Sequence, residues 1–220
     1  MVKESTLVNL LDSYLSGSRL DCAEAIYMWA RGIPGEYASS ALRVRYGSGV
    51  VYNEVVRDLR KIKVSKPTDR TEDTKFRIDR IILDFFEEKC LPLILDKMVD
   101  GFKSVMAKTK KLMIALARSG LLRGGNSVDW NTLWILYRAV FNEELTDFEK
   151  NLAIRELLKI NVIEYIVEGR VHFPPYIDAI RQEISNLANM PKIEVPDLKE
   201  EEEKSWWKAN RETLLKQHFI

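Results

Sequence analysis

Apolar positions recur at helical spacing through most of the chain. Residues 5–16 and 19–31 each put hydrophobic side chains on one face, and "RGIPGE" ends the second pattern with Gly and Pro. A third helix is predicted at about 36–46, stopped by "GSG". The next begins near Val50 and carries Val51, Val55, Leu59 and Ile62 on one side. Asn53, Arg57 and Lys61 recur at i, i+4, i+8 on another side. Short helices around a tight glycine turn, ending in a helix with a polar stripe, make residues 1–63 a candidate helix-turn-helix region. "VSKPTDRTEDT", residues 64–74, breaks the period and reads as a linker.

From Lys75 to Ser119 the pattern is helical again, with a kink or break expected at Pro92. Residues 75–101 read as connecting helices. In the second half of this stretch Phe102, Val105, Met106, Leu112, Met113 and Leu116 share one arc of a helical wheel. Lys103, Lys108, Lys110, Lys111 and Arg118 lie on the other side, so one amphipathic helix with a basic face is predicted. "GLLRGGN" is a loop. Asp129 to Asn142 reads as a buried helix through Trp130, Leu133, Trp134, Tyr137 and Val140.

At Thr146 the sequence "TDFE" forms a capping box, in which the Thr146 hydroxyl serves the Glu149 amide and the Glu149 carboxylate reaches back. Phe148, Leu152, Leu157 and Leu158 are expected to form that helix's core side. After Asn161 the period changes to two: "VIEYIV" and "RVHFP" flank Glu168-Gly169, a two-residue hairpin turn. A helix over about 176–189 follows. Residues 190–220 begin acidic and proline-containing, then regain apolar residues at Trp206, Trp207, Leu214, Leu215 and Phe219.

Helix, helix, capped helix, hairpin and return helix over residues 102–189 resemble a winged-helix domain in element order. The resemblance implies a C-terminal winged helix bearing a small β-hairpin; with the helical spacing of the N-terminal region, the expected fold is mainly α. It implies that Thr146 to Ile160 is the helix that enters a DNA major groove, and that Glu168 to Arg170 is the wing tip. Asn151, Arg155 and Lys159, at i, i+4, i+8, are then the side chains for adenine, guanine and phosphate. Arg170 and His172 would add wing contacts. Within the same helix Asp147, Glu149 and Glu156 balance Lys150, Arg155 and Lys159, which also suits a protein-facing module.

Composition narrows the classes. Hydrophobic residues are 46% and charged residues 30% of 220, a soluble globular balance, and no apolar run is long enough to span a membrane. With no signal-peptide core at the N-terminus, a cytoplasmic location is expected. Scarce Gln beside abundant Lys, Glu and Ile gives a thermophile-like composition. Cys22 and Cys90 have neither CxxC spacing nor a histidine partner, so buried free thiols are expected.

The formal net charge of +1 conceals segregation. Residues 41–70 hold eight basic residues, Arg43, Arg45, Arg57, Arg60 and Lys61 among them, against three acids. Residues 101–125 hold six basic residues and no acid. Residues 193–203 hold six acids and one lysine. Basic blocks of this kind attract phosphate in a salt-dependent manner.

Enzyme signals are thin. "GLLRGGNS" lacks a P-loop's ending, and the pairs Asp96/Asp100 and Asp84/Glu88 have no histidine to complete a metal site. No catalytic residue, metal or cofactor is implied. The leading expectation is a non-catalytic nucleic-acid-binding protein of the transcription or genome-maintenance type. Its contacts would be Arg43, Arg45, Arg57, Arg60, Lys61, Lys103, Lys110, Lys111, Asn151, Arg155, Lys159 and Arg170. The alternative is an adaptor or inhibitor docking on a larger assembly through its winged helix or through Trp206, Trp207, Leu214, Leu215 and Phe219. Duplex DNA, a protein assembly and a second copy in a homodimer are the candidate partners; a membrane is not.

Overall fold

The computed structural model of the chain describes residues 4–64, 72–122, 124 and 127–188. The fold is mainly helical with one small antiparallel sheet. Four helices come first: α1 (Glu4–Ser16), α2 (Leu20–Ala30), α3 (Gly35–Tyr46) and α4 (Val51–Lys61). α2 is buried on every side from Cys22 to Ala30, because α1, α3 and α4 all pack around it. Pro34 caps α3 and Gly47 ends it in the left-handed conformation, φ +80°, which only glycine adopts without strain. α4 turns Val51, Val55 and Leu59 inward and leaves Asn53, Arg57 and Lys61 exposed, as its spacing predicts.

α5 (Glu72–Phe85) runs into a π-helical turn at Phe86–Cys90 and continues as α6 (Leu91–Ser104). Pro92 sits in the first turn of α6 and has no N–H to give the carbonyl four residues back. The disturbance expected there takes the form of a widened turn rather than a stop.

The single amphipathic helix expected across 102–118 is not formed. Val105 is extended, with φ −72° and ψ 158°, so α6 ends at Ser104 and α7 (Ala107–Ser119) starts afresh. β1 (Ser127–Asp129), α8 (Trp130–Phe141) and α9 (Asp147–Lys159) follow. Next come β2 (Tyr165–Val167), β3 (Arg170–His172) and α10 (Ile177–Leu187). Glu168 and Gly169 both have positive φ, 49° and 75°, as a tight two-residue hairpin turn requires. β3 is the central strand, in the order β1-β3-β2, and Val171 faces Val128 on one side and Ile166 on the other.

α9 and β2 lie against α3, while α10 packs on α6 and α7. One cluster of buried apolar side chains runs through all of these elements. Leu157 and Leu158 join it from α9 as expected, but Phe148 does not: it is 75% exposed. Among the described residues no helix is long and apolar enough to cross a membrane.

Candidate nucleic-acid interface

The α9 surface is decided by where its acidic side chains go. The capping box is present: Thr146 Oγ1 accepts from the Glu149 amide at 3.3 Å, and Glu149 Oε2 accepts from the Thr146 amide at 2.9 Å. Glu149 also accepts from Lys108 Nζ at 2.7 Å. The Lys108 contact first, then the Thr146 amide, hold the Glu149 carboxyl down to about 2. Glu156 turns toward α7, where both its oxygens accept from the Met106 amide at 3.2 Å and one accepts from Thr109 Oγ1. There it satisfies an amide at the helix start and places negative charge at the positive end of the helix dipole. Asp147 pairs with Lys150 at 3.1 Å.

Asn151, Arg155 and Lys159 face outward and are exposed, as are Asp147 and Phe148 in the first turn. Neither Arg155 nor Lys159 pairs with a carboxylate among the described residues. The three-against-three charge count along α9 therefore misstates its surface. Two of its three acids serve α7, and the outward stripe is positive.

The β2–β3 hairpin follows α9 in the chain, and both α9 and β2 pack on α3. Arg170 donates to the Ser127 carbonyl at 2.9 Å and to Ser127 Oγ at 3.0 Å, so it ties β3 to β1 while remaining exposed. His172 stacks on Tyr165 at 4.3 Å between ring centres, and burial pushes its pKa down. Its place is inside the sheet face rather than at the wing tip, which corrects its assignment as a wing contact.

The basic face expected over residues 103–118 is mostly neutralised. Lys103 pairs with Asp100 at 3.1 Å, and Lys111 pairs with Glu143 at 2.7 Å. Lys108 is taken by Glu149, and Lys110 donates to the Lys103 carbonyl at 2.9 Å while lying over the Phe102 ring. Lys103 and Lys111 are thus paired with carboxylates, while Lys110 keeps its charge, since neither a carbonyl nor a ring neutralises an ammonium. On the N-terminal helices Arg43, Arg57 and Arg60 are exposed and form no ion pair among the described residues. Lys61 is held by Asp58 at 2.8 Å, which also accepts from Tyr14 OH at 2.9 Å.

Arg45 is misplaced as a phosphate contact, because its side chain is wholly buried. Its guanidinium pairs with Glu24 and donates to the carbonyls of Leu158 at 3.0 Å, Ile163 at 2.7 Å and Glu164. Glu24 further accepts from Asn161 Nδ2 at 2.9 Å and Tyr46 OH at 2.8 Å. Arg31 pairs with the Glu164 carboxylate, and Lys97 Nζ lies 3.8 Å from the centre of the Tyr46 ring. The network fastens α2 and α3 to the turn between α9 and β2. Removing one member would strand the others in a low-dielectric interior.

The remaining candidates are buried or paired. Burial pushes the Cys22 and Cys90 thiols up to about 12, which makes them poor nucleophiles. Asp100 serves Lys103 and Asp84 serves Arg80. Among the described residues no group of three metal-ligating side chains comes together. An open hollow of about 200 Å³ lies between α8 and the start of α9, lined by Trp134, Ile135, Arg138, Glu144, Leu145 and Lys150. Ile135, at its edge, is 60% exposed. Trp206, Trp207, Leu214, Leu215 and Phe219 lie outside the described residues.

The outward α9 stripe was legible in the i, i+4, i+8 spacing. The exposure of Phe148 was not, since its i, i+4 spacing to Leu152 suggests burial. Compared with known protein families, curated proteins and solved structures, the chain has no match.

Proposed function

We propose that this chain is a non-catalytic duplex-binding protein that presents α9 to the major groove and the β2–β3 hairpin to the flanking backbone. The order helix, strand, helix, helix, hairpin over residues 107–172, with β3 between β1 and β2, supports assigning this part to the winged-helix class. The observation that carries the reading is the sorting of charge on α9. Glu149 and Glu156 are spent on α7 while Asn151, Arg155 and Lys159 face outward. A helix of this kind fits a major groove about 12 Å wide, and Arg and Asn are the side chains that pair bidentately with guanine and adenine. Exposed Arg43, Arg57 and Arg60 are further side chains available to phosphate.

A mobility shift on a labelled duplex tests the reading. Binding at about 50 mM salt that weakens steeply by about 200 mM supports it. No shift at the lower salt overturns it.

The competing reading, docking on a protein assembly, has one observation of its own: the hollow beside the exposed Ile135. A copurifying protein that Ile135→Glu releases, with duplex binding absent, would favour it.

A further inference from the structure

Phe148 has no place in the core to which its spacing would assign it. It occupies the first turn of α9, inside the capping box, with three-quarters of its surface in water. That exposure leaves the apolar ring open for a ligand to cover.

Its neighbours on the helix say where the ring points. At 100° per residue, Phe148, Arg155 and Lys159 fall within about 40° of one another, and Asn151 lies about 60° to one side. The four side chains form one stripe about 16 Å long, at 1.5 Å per residue. From the N-terminal end the stripe reads apolar ring, amide, guanidinium, ammonium. Helices that enter a major groove place their N-terminal residues over base edges and let the later ones reach the backbone. Phe148 and Asn151 therefore stand at base-edge positions, while Lys159 stands at a phosphate position.

Among the groups that base pairs present in the major groove, the apolar one is the thymine C5-methyl. An aromatic ring held on a capped helix end, where its backbone is rigid, can cover that methyl without desolvating any polar atom. Guanine offers the ring only hydrogen-bonding groups, and cytosine has a bare C5–H where thymine has the methyl.

From this geometry we infer that Phe148 is a specificity residue that reads thymine by packing on its C5-methyl. The inference rests on the proposed duplex binding and adds to it a base preference and the residue that sets it. Asn151, one helical turn further on, pairs with an adenine in the same site. The preferred sequence therefore contains A·T pairs under the N-terminal half of α9.

The test uses the full chain and two duplexes of identical sequence rich in A·T pairs, one with thymine and one with deoxyuridine throughout. The two differ in the methyl group alone. Fluorescence anisotropy should show the natural protein binding the thymine duplex about fourfold more tightly for each methyl covered, the equivalent of about 0.8 kcal/mol. Phe148→Ala should bind both duplexes equally, at the affinity of the natural protein for the deoxyuridine duplex. The substitution is at an exposed position, so folding is expected to survive, and a circular-dichroism melt confirms it. Equal affinity of the natural protein for both duplexes would overturn the inference and leave duplex binding standing. A thymine preference that persists in Phe148→Ala would overturn it as well, assigning the preference to duplex shape or another residue. Absence of binding to either duplex would overturn both the inference and the function beneath it.

Discussion

Replacing Arg45 by Met keeps the bulk of the side chain and removes its charge from the interior. The guanidinium is fully buried, pairs with Glu24, and donates to the Leu158 carbonyl in the last turn of α9 and to the Ile163 and Glu164 carbonyls on the turn that follows. Loss of one partner of a buried ion pair costs about 3–5 kcal/mol, because the other charge is left uncompensated. Glu24 keeps Asn161 and Tyr46 as donors, which softens the loss, so about 4 kcal/mol is expected for Arg45→Met. That is a large part of the roughly 5–15 kcal/mol that holds a domain together. Glu24→Gln should cost about 3 kcal/mol by the same reasoning. The double variant should cost less than the two losses added, with a coupling of about 2 kcal/mol, because no stranded charge remains. Urea unfolding followed by far-UV circular dichroism gives all four stabilities. A loss under about 1 kcal/mol for Arg45→Met, or strict additivity in the double variant, would refute the structural role of the pair. Duplex affinity of the folded Arg45→Met protein at low temperature should equal that of the natural chain, since the residue reaches no phosphate.

Thr146→Ala removes the cap of α9 and should lower stability by about 1 kcal/mol in a thermal melt; no change would show the cap to be redundant. His172 has its pKa pushed below an unfolded value near 6.5 by burial, so the folded state prefers the neutral ring. Its contribution is complete above about pH 6.5 and is lost as pH falls toward the lowered value. The fall in urea midpoint between about pH 7.5 and 5.5 should therefore be smaller in His172→Gln, and an equal fall would contradict the assignment. Gly101→Ala should destabilise by about 2 kcal/mol even though Ala is the better helix former, because the new methyl would meet Ile160. A melting temperature at or above the natural protein's would refute that clash.

Long periodic segments were the most legible part of the chain. α4, α9 and the hairpin stand where spacing, the capping box and Glu168-Gly169 put them, because each carries its own local signal. β1 was not legible: three residues, "SVD", become a strand only because β3 lies beside them. The break at Val105 was hidden because residues on both sides of it continue the same apolar arc.

Charge was the least legible. Lys111 and Lys108 looked free because Glu143 and Glu149, which neutralise them, are 32 and 41 residues away. Arg45 looked like part of a basic surface because Glu24, its partner, belongs to another helix. The same blindness worked in the opposite direction on α9, where a neutral sum concealed a positive outward face. A linear count of charge cannot say which face a side chain takes, and tertiary packing decides that.

The most direct test of the α9 surface is the salt dependence of duplex binding in the Arg155→Ala/Lys159→Ala variant. Each phosphate contact contributes about −0.9 to the slope of log K against log salt. The natural chain should lose affinity linearly on that plot; the variant should bind more weakly, through the lost Arg155 base contact, with a slope shallower by about 0.9 from the lost Lys159 phosphate contact. Alanine at the neutralised Lys103 and Lys111 should leave the slope unchanged. An unaltered slope and affinity in the Arg155/Lys159 variant would contradict the assignment of α9 as the duplex-facing helix.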